Sequence, residues 1–323
     1  MTSSLSHNQT SIDTLNPHLV DEHPDVLKLL LEDKRSPNTR RAYEKDVRYF
    51  FEAIANSQPT KDIILQFFKL TQPQAIAVVL KYKSQCLQQG LAEATINRRI
   101  AAIKSLVKMG RKVNVCQFNL DDIESEKIKK YRDTSGISLD LIKKVLSYPE
   151  RSTEKGIRDY AILKLLWTNA LRRSEVVKTN IGDFDFDSKT LLIIGKGKGT
   201  QKEAVKLSHS TTEAIINWIE IRNELTSESP LFCSLSNNRK GKRLSGTSVY
   251  NLVNEYCKKA GISKVMSPHR IRHSAITTAL DATNGDVRSV RQLSRHANID
   301  TLMIYDDNRK NCQGELTNLL DDI

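Results

Sequence analysis

The sequence predicts two domains: an all-α domain, followed by a mainly α domain that carries a small antiparallel β-sheet. Three observations predict it. The chain has 323 residues, more than one hydrophobic core usually serves. Apolar residues recur at helical spacing on both sides of a charged, apolar-poor stretch at 119–136. In the second half, the short apolar run Thr190 to Ile194 is bounded by turn residues like a strand, with Lys202 to Leu207 as its hairpin partner.

In order along the chain, residues 1–24 are rich in Ser, Thr, Asn and His and read as a flexible tail. The stretch up to Leu27 has no Lys or Arg and no long apolar run, so neither a secretory signal nor a transit peptide is expected. The all-α domain occupies 25–118. Ser36 caps a helix with Pro37 in its first turn, and Tyr43, Val47, Phe50, Phe51 and Ile54 form its apolar stripe. A second helix is predicted from about Gln74 to Gln89, stopping at Gly90. A third starts near Glu93 and packs Ile96, Ile100, Ile103 and Val107 before Gly110. It turns Arg98, Arg99, Lys104 and Lys108 away from that stripe, as a solvated cationic face or a phosphate-contacting one.

Residues 119–136, with Glu124, Glu126, Lys127, Lys129, Lys130, Arg132 and Asp133, read as a linker that can hardly bury a core. Helical patterning resumes at Ser138 and from Ile157 to Trp167, opening a second domain over 137–323. Its last residues place Leu316, Leu319, Leu320 and Ile323 at helical spacing, a short terminal helix that must dock to be stable.

Lys and Arg number 50 against 38 Asp and Glu, a net charge of +12. Such a surplus favours a polyanionic partner, with nucleic acid ahead of a membrane surface. No segment approaches the ~20 apolar residues of a membrane span. Cys86, Cys116, Cys233, Cys257 and Cys312 show no CxxC pairing, which points to a reducing cytoplasm without a zinc site or disulfide framework. Asp183, Asp185 and Asp187 alternate without a second carboxylate cluster, so no metal is expected. Arg239, Lys240, Lys242 and Arg243 lie in a Ser/Asn/Gly-rich loop that would grip phosphates.

The residues that carry chemistry lie in the second half. Ser267-Pro268 starts a helix whose His269 and Arg272 stand three apart, at an end that attracts phosphate through free amides and the helix dipole. Leu293-Ser294-Arg295-His296 precedes Tyr305 by nine positions (305 − 296), and Leu171-Arg172-Arg173-Ser174-Glu175 lies upstream. Gly195-Lys196-Gly197-Lys198-Gly199 fits neither nucleotide-loop pattern, because position 200 is Thr.

In that order these elements resemble the tyrosine recombinases, or phage integrases, strongly over 137 to about 310. The match is weaker over the first domain, through Ser36-Pro37-Asn38-Thr39 with Tyr43 and through Ile96-Asn97-Arg98-Arg99, which look like the family's core-binding domain. The resemblance implies the DNA breaking-rejoining fold and a site made of Arg172, Lys196, His269, Arg272, His296 and Tyr305, with no cofactor. Tyr305 would attack a DNA phosphate and form a 3′-phosphotyrosyl bond, and Lys196, with Lys198 as its rival, would protonate the leaving 5′ oxygen.

The physics suits these roles. Fixed guanidinium groups at Arg172 and Arg272 can stabilise charge on the non-bridging oxygens, and His296 can add a hydrogen bond. His269 can help move the phenolic proton. Glu175, three residues beyond Arg172, would orient its guanidinium or be an ordinary surface carboxylate. His273, facing elsewhere on the helix, is expected to be a supporting or core residue.

Three departures from the commonest family pattern stand out: Ala170 and Arg295 occupy usual glycine positions, and Gly199-Thr200-Gln201 lengthens the hairpin turn. The expected function is site-specific recombination of double-stranded DNA by a homo-oligomer, a tetramer on two sites, with the terminal helix docking on a neighbouring protomer. The accessory proteins are not specified by the sequence. Other readings are a type IB topoisomerase-like nicking and resealing enzyme, and an idle DNA-binding regulator, which would have no reason to keep the whole catalytic set.

Overall fold

The computed structural model describes residues 24–128, 137–195, 199–223, 225–296, 298–300, 302–303, 317 and 320–321. The chain divides into two compact units, Met1–Lys129 and Lys130–Ile323.

The first unit is all helix: α1 (Val26–Asp33), α2 (Pro37–Ala55), α3 (Lys61–Phe68), α4 (Gln72–Gln88) and α5 (Glu93–Lys112). Side chains cap the helix starts. Asp25 accepts from the Lys28 amide and Ser36 from the Thr39 amide, with Pro37 placed where a helix needs no N–H. At the start of α4, Gln74 Oε1 accepts from the Thr71 amide at 2.9 Å. The core is aromatic. Phe50 meets Phe51, Phe67 and Tyr82 edge to face at centroid distances of 5.1, 5.3 and 5.2 Å.

Two expectations need correction here. The third predicted helix, α5, does not stop before Gly110 but runs through it to Lys112. A Cβ at Gly110 would lie 2.7 Å from the Phe68 ring, so this glycine serves close packing rather than termination. The predicted linker also begins too early. Leu120 and Ile123 are buried in the helical core. The following residues are tied down by backbone hydrogen bonds: Lys83 Nζ donates to the Glu124 carbonyl at 2.7 Å, and Asn97 both donates to the Glu126 carbonyl (2.9 Å) and accepts from its amide (2.7 Å). Two apolar residues in a charged stretch are enough to dock it.

The second unit contains α6 (Leu139–Ser147), α7 (Glu154–Thr168), α8 (Arg173–Lys178), β1 (Phe184–Asp185), β2 (Thr190–Ile194), β3 (Lys202–Lys206), α9 (His209–Glu220), α10 (Gly246–Lys259), α11 (Pro268–Ala282) and α12 (Val287–Ser294). The sheet order is β1-β2-β3, antiparallel throughout, with Leu191 opposite Val205 and Ile194 opposite Lys202. This is the hairpin that the sequence predicts. Alternation puts Leu191 and Ile193 into the main core, with β2 against α8. Helix α7 packs against both α9 and α11. A smaller buried cluster, Ala170, Ala275, Ile276, Leu280, Val290 and Leu302, joins the loop after α7 to α11 and α12.

Candidate active site

The site is built where three helix ends meet. Helix α7 stops at Thr168, and Ala170 turns the chain with a left-handed φ of +45°. The chain then enters α8 with Arg172 as its N-cap residue. Glu175, fully buried, reaches back: Oε2 accepts from the Arg172 amide at 2.8 Å and Oε1 from Arg172 Nη1 at 2.7 Å. The carboxylate thus closes the helix start and fixes the guanidinium together. A surface carboxylate would have neither role.

Helix α11 begins at Ser267, whose side chain accepts from the Arg270 amide, with Pro268 in its first turn. One helical turn in, Arg272 is buried. Its Nη1 donates to the Ala170 carbonyl and its Nη2 to the Ser294 carbonyl, so it pins the loop after α7 to the end of α12. The same Nη2 lies 3.4 Å from His296 Nε2. Burial, followed by the charges of Arg272, Arg172, Arg295 and His269, pushes His296 down to about 4. Its ring is therefore neutral at physiological pH. His269 is exposed, and its Nε2 is 2.7 Å from that of His273, with the two rings edge to face.

The structure thus brings Arg172, Glu175, Arg272 and His296 together, with His269 close enough to act on His296 electrostatically. Lys196, its rival Lys198 and Tyr305 lie outside the described residues; the first two fall between β2 and β3, and Tyr305 follows α12 in sequence. Of two further contributors, His273 has the supporting place expected of it and Arg295 escaped the sequence reading. His273 touches His269 directly. Arg295 is a third guanidinium in the site, and the one signal for it was its place where the pattern carries glycine.

The expected DNA-contacting cations divide into two groups. Arg98 pairs with the buried Asp46, Arg99 stacks 4.6 Å over Tyr49 and donates to the Tyr82 hydroxyl, and Lys104 donates to the Ile123 carbonyl at 2.6 Å. Arg243 holds the Val177 and Thr179 carbonyls at 2.8 and 2.9 Å. These four are at least partly engaged within the fold. Lys108, Arg239, Lys240 and Lys242 are exposed. Asp183 is occupied by Lys202 and the Asn180 amide. Among the described residues no three His, Cys, Asp or Glu side chains gather as metal ligands.

A cluster of guanidinium groups ordered by a buried carboxylate, beside a neutral imidazole, is suited to gripping a phosphodiester while it is transferred. Set on a mainly helical domain with a small sheet, after an all-α domain, it marks a class of enzymes that break and rejoin DNA. Comparison with known proteins agrees. Residues 137–311 match the model of the phage integrase family and residues 26–112 that of the phage integrase N-terminal SAM-like domain. A tyrosine recombinase of Synechococcus elongatus is 48% identical over 293 residues, covering 91% of this chain and 92% of that one. One of Synechocystis is 49% identical over 299 residues, covering 93% and 95%. The chain belongs to the phage integrase family of tyrosine recombinases, and it is a site-specific DNA recombinase.

The fold has solved counterparts. XerH recombinase bound to its palindromic difH substrate is 18% identical with a TM-score of 0.59, covering 94% of this chain and 99% of that one. The Tn1549 transposon integrase in complex with circular intermediate DNA is 17% identical with a TM-score of 0.61, covering 87% and 94%.

Proposed function

We propose that this recombinase cuts DNA with Tyr305. The phenolic oxygen attacks the scissile phosphorus, the bond to the 5′ oxygen breaks, and a 3′-phosphotyrosyl link forms. Lys196 supplies the proton that the leaving 5′ oxygen takes up. In the second half-reaction the 5′ hydroxyl of a partner strand attacks the same phosphorus and releases the tyrosine, so the bond energy is conserved without a cofactor. Arg172 and Arg272 hold the non-bridging oxygens, and His296 donates a hydrogen bond to them. His269 assists the phenolic proton.

The observation that supports this most directly is the convergence of Arg172, Arg272 and His296 through the Glu175 and Ala170 contacts. Exchange between two duplexes calls for a tetramer on two DNA sites, with the terminal helix of each protomer docked on its neighbour. The setting proposed is the cytoplasm. The test is a nicked suicide substrate on which a covalent intermediate accumulates. Tyr305→Phe should bind this DNA normally and give no adduct; an adduct at the normal rate would remove Tyr305 from the reaction.

A further inference from the structure

Arg295 occupies a position that two physical costs argue against. Its backbone, at the carboxyl end of α12, has φ of +53°, the left-handed region that favours glycine. Its side chain is 7% exposed and burial pushes the guanidinium below its ordinary value, with Glu175 pulling the other way. Only its contacts offset these costs. Nη1 donates to the Leu293 and Asn169 carbonyls at 2.6 and 3.2 Å. Nη2 donates to the Ala170 carbonyl and to Glu175 Oε2, both at 3.3 Å.

Two of those acceptors are the groups that anchor the other arginines. The Glu175 carboxylate also holds Arg172, and the Ala170 carbonyl also holds Arg272. The Arg295 carbonyl in turn faces Arg172 Nη2 at 3.4 Å. One residue thus links both guanidinium groups through shared acceptors. It also adds positive charge beside a single carboxylate, a crowding that an arriving phosphate relieves.

We propose that Arg295 is a positioning residue for strand cleavage, holding Arg172 and Arg272 in register through Glu175 and the Ala170 carbonyl. The inference rests on Arg172 and Arg272 forming the phosphate clamp. Its test measures the single-turnover rate of adduct formation on nicked suicide DNA for the wild type, Arg295→Gly, Arg295→Lys and Arg172→Ala, alongside DNA affinity and thermal unfolding.

Arg295→Gly relieves the left-handed backbone, so its unfolding temperature should not fall, and DNA affinity should be unchanged. Adduct formation should slow by about tenfold or more, because misplaced clamp groups stabilise the transition state poorly. Arg295→Lys should recover only part of the rate, since one ammonium cannot reproduce a forked set of donors. The deciding readout is DNA with a neutral methylphosphonate at the scissile linkage. There the clamp has less charge to stabilise, so the deficit of either variant should shrink, whereas a merely structural defect slows both linkages alike.

A wild-type rate for Arg295→Gly, or an equal deficit on both linkages, would overturn the proposal. If the glycine variant does not fold, Arg295→Lys carries the same comparison. Normal cleavage by Arg172→Ala would instead remove the clamp itself, and the inference with it.

Discussion

His296 shows how the site treats a single residue. Burial, and then three guanidinium groups, hold its proton affinity well below the ordinary 6.5, at about 4. Between these two values an unfolded chain takes up a proton that the folded one refuses, so the native state loses stability as pH falls from about 6.5 toward 4. Above 6.5 both states are neutral and the effect vanishes. His296→Gln should therefore flatten the urea midpoint between pH 7 and pH 4.5 relative to the wild type; equal slopes would mean that His296 titrates normally. The candidate residues could be picked out because each is fixed to a spacing, Arg172 to Glu175, His269 to Arg272 and His296 to Tyr305, and the structure brings Arg172, Glu175, Arg272 and His296 together. Arg295 was not legible as a participant, because its role depends on Asn169, Ala170 and Glu175, more than a hundred residues away. A sequence pattern records only that a glycine is absent.

At the scale of elements, α2, α4, α5, α6, α7 and α11, which the sequence marked by caps or stripes, are present, and the β2–β3 hairpin pairs as expected. The expected terminal helix lies outside the described residues but for 317, 320 and 321. Helices α1, α8, α9, α10 and α12 were not marked, and neither was α3. Its apolar residues Ile63, Ile64, Leu65, Phe67 and Phe68 run almost continuously over six positions of an eight-residue helix, too short for a period to be read. The stretch after Phe118 misled in the opposite sense, since its charges outnumber Leu120 and Ile123, although those two decide where it lies. Leu120→Ala should destabilise the first unit by about 2–5 kcal/mol, the usual cost of emptying a core position. A linker residue would change stability by no more than about 0.5 kcal/mol. Urea unfolding followed through the first unit's signals separates the two.

For the whole molecule, which carries a net charge of +12, the number of phosphates its cations neutralise sets how DNA affinity responds to salt. Each phosphate neutralised releases counterions, giving a slope of about −0.9 per contact on a log–log plot. A clamp with six to ten contacts would lose about a thousandfold or more in affinity between 50 and 200 mM salt. Lys240→Ala, which removes an exposed cation, should make the slope shallower by about one. Arg243→Ala should leave it unchanged, because that guanidinium is spent on the Val177 and Thr179 carbonyls. A fluorescence anisotropy titration at several salt concentrations measures both, and a flat response in the wild type would contradict extensive phosphate contact.

The small cluster of Ala170, Ala275, Ile276, Leu280, Val290 and Leu302 stands apart from the main core, yet it supports the loop and helix end that carry Arg172 and His296. Cooperative units with little buried surface open at lower free energy than the domain around them. The wall that carries Arg172 and His296 should therefore open at lower free energy than α7 and the sheet. Amide hydrogens of α12 should exchange faster than those of α7, and mild denaturant should silence the enzyme before it unfolds it. If the exchange of α12 is faster, anything that braces this patch, DNA included, would raise the fraction of time the site is assembled.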